Sequence, residues 1–152
     1  MVNVDISLLK KLRNETSASI ADCRKALEET ENDYAKAIEW LKKRGLEKAA
    51  KKADRETSQG LIESYVHNGR IGVLVELLCE TDFVAKTDEF KHLAREIAMQ
   101  ISAMNPKDME ALLQQEYIRD ASQTIEHVVK STIGKLGENI TVKRFHRIEL
   151  GN

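Results

Sequence analysis

The sequence predicts an α+β protein: a three-helix bundle, a linker helix, then an antiparallel sheet packed with helices in the order β-β-α-α-α-β. Three observations predict it. Apolar residues recur at helical spacing through the first third of the chain. The period switches to two at Gly60, shortly before an Asn68-Gly69 pair. With seven Gly, one Pro and 5% aromatic residues, the composition favours helices over a many-turned all-β fold.

Each element follows from local chemistry. Asp5 can cap a helix carrying Leu8, Leu9 and Leu12 that ends near Asn14-Glu15-Thr16. Beyond the loop Thr16-Ser17-Ala18, Ser19 caps a second helix with Ile20, Cys23 and Leu27 at i, i+3 and i+7. Asp33 caps a third, where Tyr34, Ala37, Ile38 and Leu41 share a face, and Gly45 is its expected stop. These helices form a bundle over residues 1–45. From Lys42 to Arg55, seven basic residues face two acids, Glu47 and Asp54, a local charge of +5. Ala49, Ala50 and Ala53 keep helix propensity high there, so 46–59 reads as an exposed basic linker helix.

Residues 60–152 read as one α+β core. Leu61–His67 and Ile71–Cys79 are strand-like, and Asn68-Gly69 suits the positive φ angles of a tight hairpin turn. Ile71, Val73, Val75, Leu77 and Cys79 line one face of the second strand. A helix follows with Phe90, Leu93, Ala94, Ile97 and Ile101 on one side, stopped by Asn105-Pro106. A short helix is expected over Asp108–Gln115 and another from about Arg119 to Lys135, ended by Gly137. Ile140–Ile148 is the last strand, completing an antiparallel sheet with helices against it.

Several classes of function find no support. The 24 basic and 25 acidic residues give a formal charge of −1, which lacks the basic surplus of a dedicated nucleic-acid binder. The longest apolar run, Ile71-Gly72-Val73-Leu74-Val75, is far too short to span a bilayer, and the amino terminus has no signal-like pattern. A cytoplasmic protein is expected. Cys23 and Cys79 have neither disulfide-framework nor metal-ligand spacing, and no two of His67, His92, His127 and His146 are spaced to share a metal. The glycines form no phosphate cradle, no nucleophile elbow is present, and the carboxylates single out no acid/base pair. Neither an enzyme nor a cofactor is expected.

One segment departs from what its position requires. Cys79-Glu80-Thr81-Asp82-Phe83-Val84-Ala85 joins a strand to a helix, where a polar connection is expected, yet it carries Phe83 and Val84. In one account Thr81 or Asp82 caps the helix and Phe83 tucks into the core as a staple. In the other, Asp82 and Phe83 project together from a rigid corner toward a partner's pocket. The pattern alone leaves both open.

The chain resembles the elongation factor Ts family. The resemblance rests on Leu8-Leu9-Lys10-Lys11-Leu12-Arg13 with Asp22-Cys23-Arg24-Lys25-Ala26-Leu27, and on Ala35-x-x-Ile38-Glu39-Trp40-Leu41 with Lys48-Ala49-Ala50-Lys51-Lys52. It rests equally on the Cys79–Ala85 segment and on Gly137-Glu138-Asn139-Ile140-x-Val142-x-Arg144, all in family order. It implies a ubiquitin-associated-like amino-terminal bundle and a guanine-nucleotide exchange factor for elongation factor Tu, without direct nucleotide binding. It further implies that Thr81, Asp82, Phe83 and Val84 dislodge Mg²⁺ from the partner, while Arg13, Ile20 and Ala21 contact its GTPase domain. A single core copy implies a possible homodimer. Where the family usually has glycine in the loop after the first helix, this chain has Ser17. Other readings are an adaptor using the bundle, or a ribosome- or RNA-associated protein using the basic linker.

Overall fold

The computed structural model describes residues 2–152; Met1, counted above in the bundle, lies outside them. Helices α1 (Ile6–Thr16), α2 (Ile20–Glu29) and α3 (Tyr34–Lys52) begin the chain, with Asp5, Ser19 and Asp33 accepting hydrogen bonds from the first-turn amides as their N-caps. Leu12, Cys23, Ala26, Leu27, Ala37 and Leu41 form the bundle's own buried cluster.

Gly45 does not end the third helix. Helix α3 runs unbroken to Lys52, so the expected boundary at residue 45 falls inside it and the linker helix is its second half. The reason is tertiary. At Gly134 of α7 (Ile125–Leu136), an added Cβ would stand 2.8 Å from the Gly45 Cα and 2.9 Å from its carbonyl oxygen. The two helices cross backbone to backbone at these glycines, and that contact outweighs the poor helix propensity of Gly45. Ala49, on the same stretch of α3, is buried in the second cluster, that of the core.

The core sheet has strands β1 (Gln59–His67), β2 (Ile71–Cys79) and β5 (Ile140–Glu149), antiparallel throughout, in the order β1-β2-β5. Asn68 and Gly69 both have positive φ, as the hairpin turn requires. The loop is one residue longer than a two-residue turn, because Arg70 lies outside the ladder and its carbonyl accepts the Leu150 amide (2.7 Å). Val73, Val75, Leu77 and Cys79 bury their side chains toward α5 (Asp88–Met104), which supplies Phe90, Leu93, Ala94, Ile97 and Ile101. The other face stays open: Ile62, Val66, Leu74 and Ile148 are all more than half exposed.

After α6 (Met109–Gln114), the sequence expectation of a helix from Arg119 is corrected. Residues Glu116–Tyr117 (β3) and Asp120–Thr124 (β4) form a small ribbon, and α7 begins only at Ile125. Gln100, fully buried on α5, fixes the ribbon by donating to the Glu116 carbonyl and accepting the Ile118 amide (both 3.0 Å). Glu96, also buried, accepts from the Tyr117 hydroxyl (2.5 Å) and from the Arg119 guanidinium. These long-range polar contacts decide the local conformation. Among the described residues, no helix is long and apolar enough to cross a membrane.

Candidate partner-docking site

Strand β2 ends at Cys79, and a single turn, α4 (Asp82–Ala85), follows before Thr87 caps α5. Thr81 is extended (φ −126°, ψ 156°) and its hydroxyl accepts the Val84 amide at 3.4 Å, so it is the cap that the sequence suggested. Ala85 is buried and Val84 packs half-buried on the core. Phe83 does neither. Its side chain is 81% exposed, so the staple account is excluded and the ring projects into solvent beside exposed Asp82. Asp82 pairs with Lys86 across one helical turn at 3.3 Å, an exposed pair that holds it only weakly.

The corner is braced from behind. The Glu138 carboxylate accepts both the Thr81 amide (2.9 Å) and the Thr81 hydroxyl (2.7 Å). In the reciprocal direction, the Glu80 carboxylate accepts the Asn139 amide (2.8 Å) and lies 3.6 Å from the Arg55 guanidinium. Asn139, itself buried, donates its side-chain amide to the carbonyls of Ala53 (3.3 Å) and Arg55 (2.8 Å) at the end of α3. Cys79 is fully buried, and burial pushes its thiol up to about 11, with the Glu138 charge adding to the effect. It is a packing residue, its sulfhydryl directed at the Thr81 carbonyl. The motif Gly137-Glu138-Asn139 is conspicuous in the sequence, yet its brace on the corner is visible only in three dimensions.

Arg13, in the last turn of α1, and Ile20 and Ala21, at the start of α2, flank the α1–α2 turn. Arg13 is exposed and its guanidinium donates to the carbonyls of Ser17 (3.2 Å) and Ala18. Ser17 takes the left-handed conformation (φ 56°, ψ 13°) that its loop position demands, with its amide on the Arg13 carbonyl. Ile20, the first residue of α2, is 62% exposed, and Ala21 beside it is exposed as well. Helices α1 and α2, which carry this group, pack with α3, whereas α4 packs with β1, β2 and α5; no hydrogen bond or ion pair among the described residues joins the two groups.

Part of the basic stripe on α3 turns inward. The Asp22 carboxylate accepts from Lys48 and lies 3.9 Å from Arg44, and despite the opposing effect of burial these cations and Ser19 hold it below its usual range. Both cations border a cleft of about 530 Å³ between the bundle and the end of α7. Two charges of the stripe are thus spent on internal pairing. Among the described residues, no three His, Cys, Asp or Glu side chains gather into a metal-holding group.

The fold thus presents an exposed aromatic ring and an exposed carboxylate side by side on a corner braced from behind. The comparisons then specify the family. A profile described as "Elongation factor TS" matches residues 80–152, and one described as "Elongation factor Ts, mitochondrial, N-terminal" matches residues 1–52. The chain is 42% identical to the elongation factor Ts of Oleidesulfovibrio alaskensis, covering 99% of this chain and all of that protein. That alignment runs over 197 positions against 152 residues here, so the relative contains residues with no counterpart in this chain. The chloroplastic elongation factor Ts of Guillardia theta is 41% identical over 99% of this chain and 90% of its own length. A Nostoc elongation factor Ts is 46% identical over 95% of this chain, which spans 46% of that protein. The chain belongs to the elongation factor Ts family.

Proposed function

We propose that this chain is a guanine-nucleotide exchange factor for elongation factor Tu, binding the GDP form, displacing Mg²⁺, promoting GDP release and remaining bound until GTP returns. The observation that carries the reading is Phe83: an aromatic side chain left 81% exposed on a turn otherwise anchored to the core. Exposing such a ring in the free protein forgoes the stabilisation of burial, and a partner's pocket recovers it.

Exchange needs no contact with the nucleotide. The partner holds GDP through its phosphates and a bridging Mg²⁺. A factor that binds the empty, distorted partner more tightly than the loaded one weakens nucleotide by the same ratio. In this reading Phe83 wedges between elements of the GTPase domain. Asp82 secures the approach by polar contacts, while Thr81 and Val84 hold the wedge to its base. Arg13, Ile20 and Ala21 form a second contact with the same domain.

The bundle and the core act as two grips joined by α3. The open sheet face, with Ile62, Val66, Leu74 and Ile148, supports pairing of two copies, which would double the single core. We place the protein in the cytoplasm, or in an organelle's matrix or stroma if organelle-encoded. The test is direct: load elongation factor Tu with fluorescent GDP, add this chain with excess unlabelled GDP, and follow release. Faster release in proportion to added chain supports the reading; an unchanged rate rejects it.

A further inference from the structure

We infer that Glu138 is a positioning residue for the docking corner, holding Thr81 so that Asp82 and Phe83 present one fixed geometry; this rests on the exchange reading above. Helix α4 has four residues, too few to hold a helical turn unaided. Phe83 contributes little packing of its own, being largely in solvent. The turn's orientation therefore depends on how its ends are held. At the far end, the Thr87 hydroxyl donates to the Val84 carbonyl (2.7 Å) and Ala85 is buried. At the near end, Glu138 accepts the amide and the hydroxyl of Thr81 with separate carboxylate oxygens. Two bonds from one residue to one rigid acceptor fix its orientation as well as its position, and a charged acceptor makes them strong.

The same loop reaches further. Asn139, the next residue, donates its backbone amide to Glu80 and its side-chain amide to the end of α3. One two-residue segment thus ties the corner to the helix that carries the bundle. Glu138 sets the attitude of the wedge, and Asn139 relates it to the second contact group.

The test compares Glu138→Ala, Glu138→Gln, Thr81→Ala and the Glu138→Ala/Thr81→Ala double variant in the full chain. Acceleration of GDP release from elongation factor Tu is read together with hydrogen exchange of the Thr81 amide in the free protein. Glu138→Ala should lower the acceleration about ten-fold or more and deprotect the Thr81 amide, while the midpoint of global unfolding falls by only about 2–8 °C, leaving the protein folded under assay conditions. Glu138→Gln, which keeps one acceptor and the side chain's shape, should recover both to within about three-fold. The double variant should lose less than the product of the two single effects, since the hydroxyl–carboxylate bond is lost in both. The proposal is overturned if Glu138→Ala releases GDP at the wild-type rate, if its Thr81 amide stays protected, or if the single effects multiply. Should wild type itself fail to accelerate release, the exchange reading falls. The Thr81 amide, measured without the partner, then decides the brace on its own.

Discussion

Two facing glycines give a sharp test of how the bundle is joined to the core. Adding one methyl group at Gly134 places it 2.8 Å from the Gly45 Cα, 2.9 Å from its oxygen and 3.1 Å from its carbonyl carbon. All three are backbone atoms, so no side chain can rotate away, and α3 and α7 must separate by most of an ångström to restore ordinary contact. Overpacking of this kind costs about 1–3 kcal/mol, offset by roughly 1 kcal/mol from the better helix propensity of alanine. Gly134→Ala should therefore destabilise by about 1 kcal/mol, at most about 2. The same change at Gly45 meets no atom within 4 Å and gains the propensity term alone, so Gly45→Ala should stabilise by up to about 1 kcal/mol. For a chain of this size the melting temperature should move about 2–4 °C per kcal/mol, in opposite directions. Paired thermal and urea unfolding curves decide it. Shifts of the same sign, or a Gly134→Ala protein stabilised as much as Gly45→Ala, would refute the backbone crossing.

Further expectations follow from particular residues. Ser17 stands at φ 56°, so Ser17→Gly should raise stability by about 0.5–1 kcal/mol in urea unfolding, and Ser17→Val should lower it. Burial acts to raise the Glu96 carboxyl, but hydrogen bonds from Tyr117 and Arg119 outweigh it and hold the group below its ordinary 4.5. A depressed folded value means that Glu96 contributes stability above pH 4.5 and loses it as acidification proceeds through the lower folded value. Glu96→Gln should thus cost about 1–3 kcal/mol at neutral pH, with the gap to wild type narrowing in melts below pH 4.5. Cys79 is fully buried and raised to about 11, so alkylating reagents at pH 8 should leave it unmodified until the protein unfolds.

The elements legible in the sequence were those written in local chemistry. Asp5, Ser19 and Asp33 cap the helices they precede, and the buried face of α5 is the one its periodicity marks. Asn68-Gly69 makes its turn because both residues tolerate positive φ. What escaped was decided at long range. Gly45 carries the mark of a helix end, yet the partner that makes it a crossing point lies on α7, 89 residues away in sequence. Residues 116–124 are held as a ribbon by Gln100 and Glu96 on another element, which no local pattern declares. At the corner, the Thr81 cap could be read directly. Whether Phe83 points in or out could not, since a staple and a projecting wedge share one sequence pattern. The brace from Glu138 joins residues 57 apart.

Release of labelled GDP from elongation factor Tu, compared between wild type and Phe83→Ala at matched concentrations, bears most directly on the proposed wedge. Phe83 is exposed in the free protein, so its removal should leave folding essentially intact. Loss of an aromatic anchor commonly costs about 2–4 kcal/mol, so release driven by Phe83→Ala should be roughly 30-fold slower or more. Acceleration by Phe83→Ala equal to that of wild type would contradict the account.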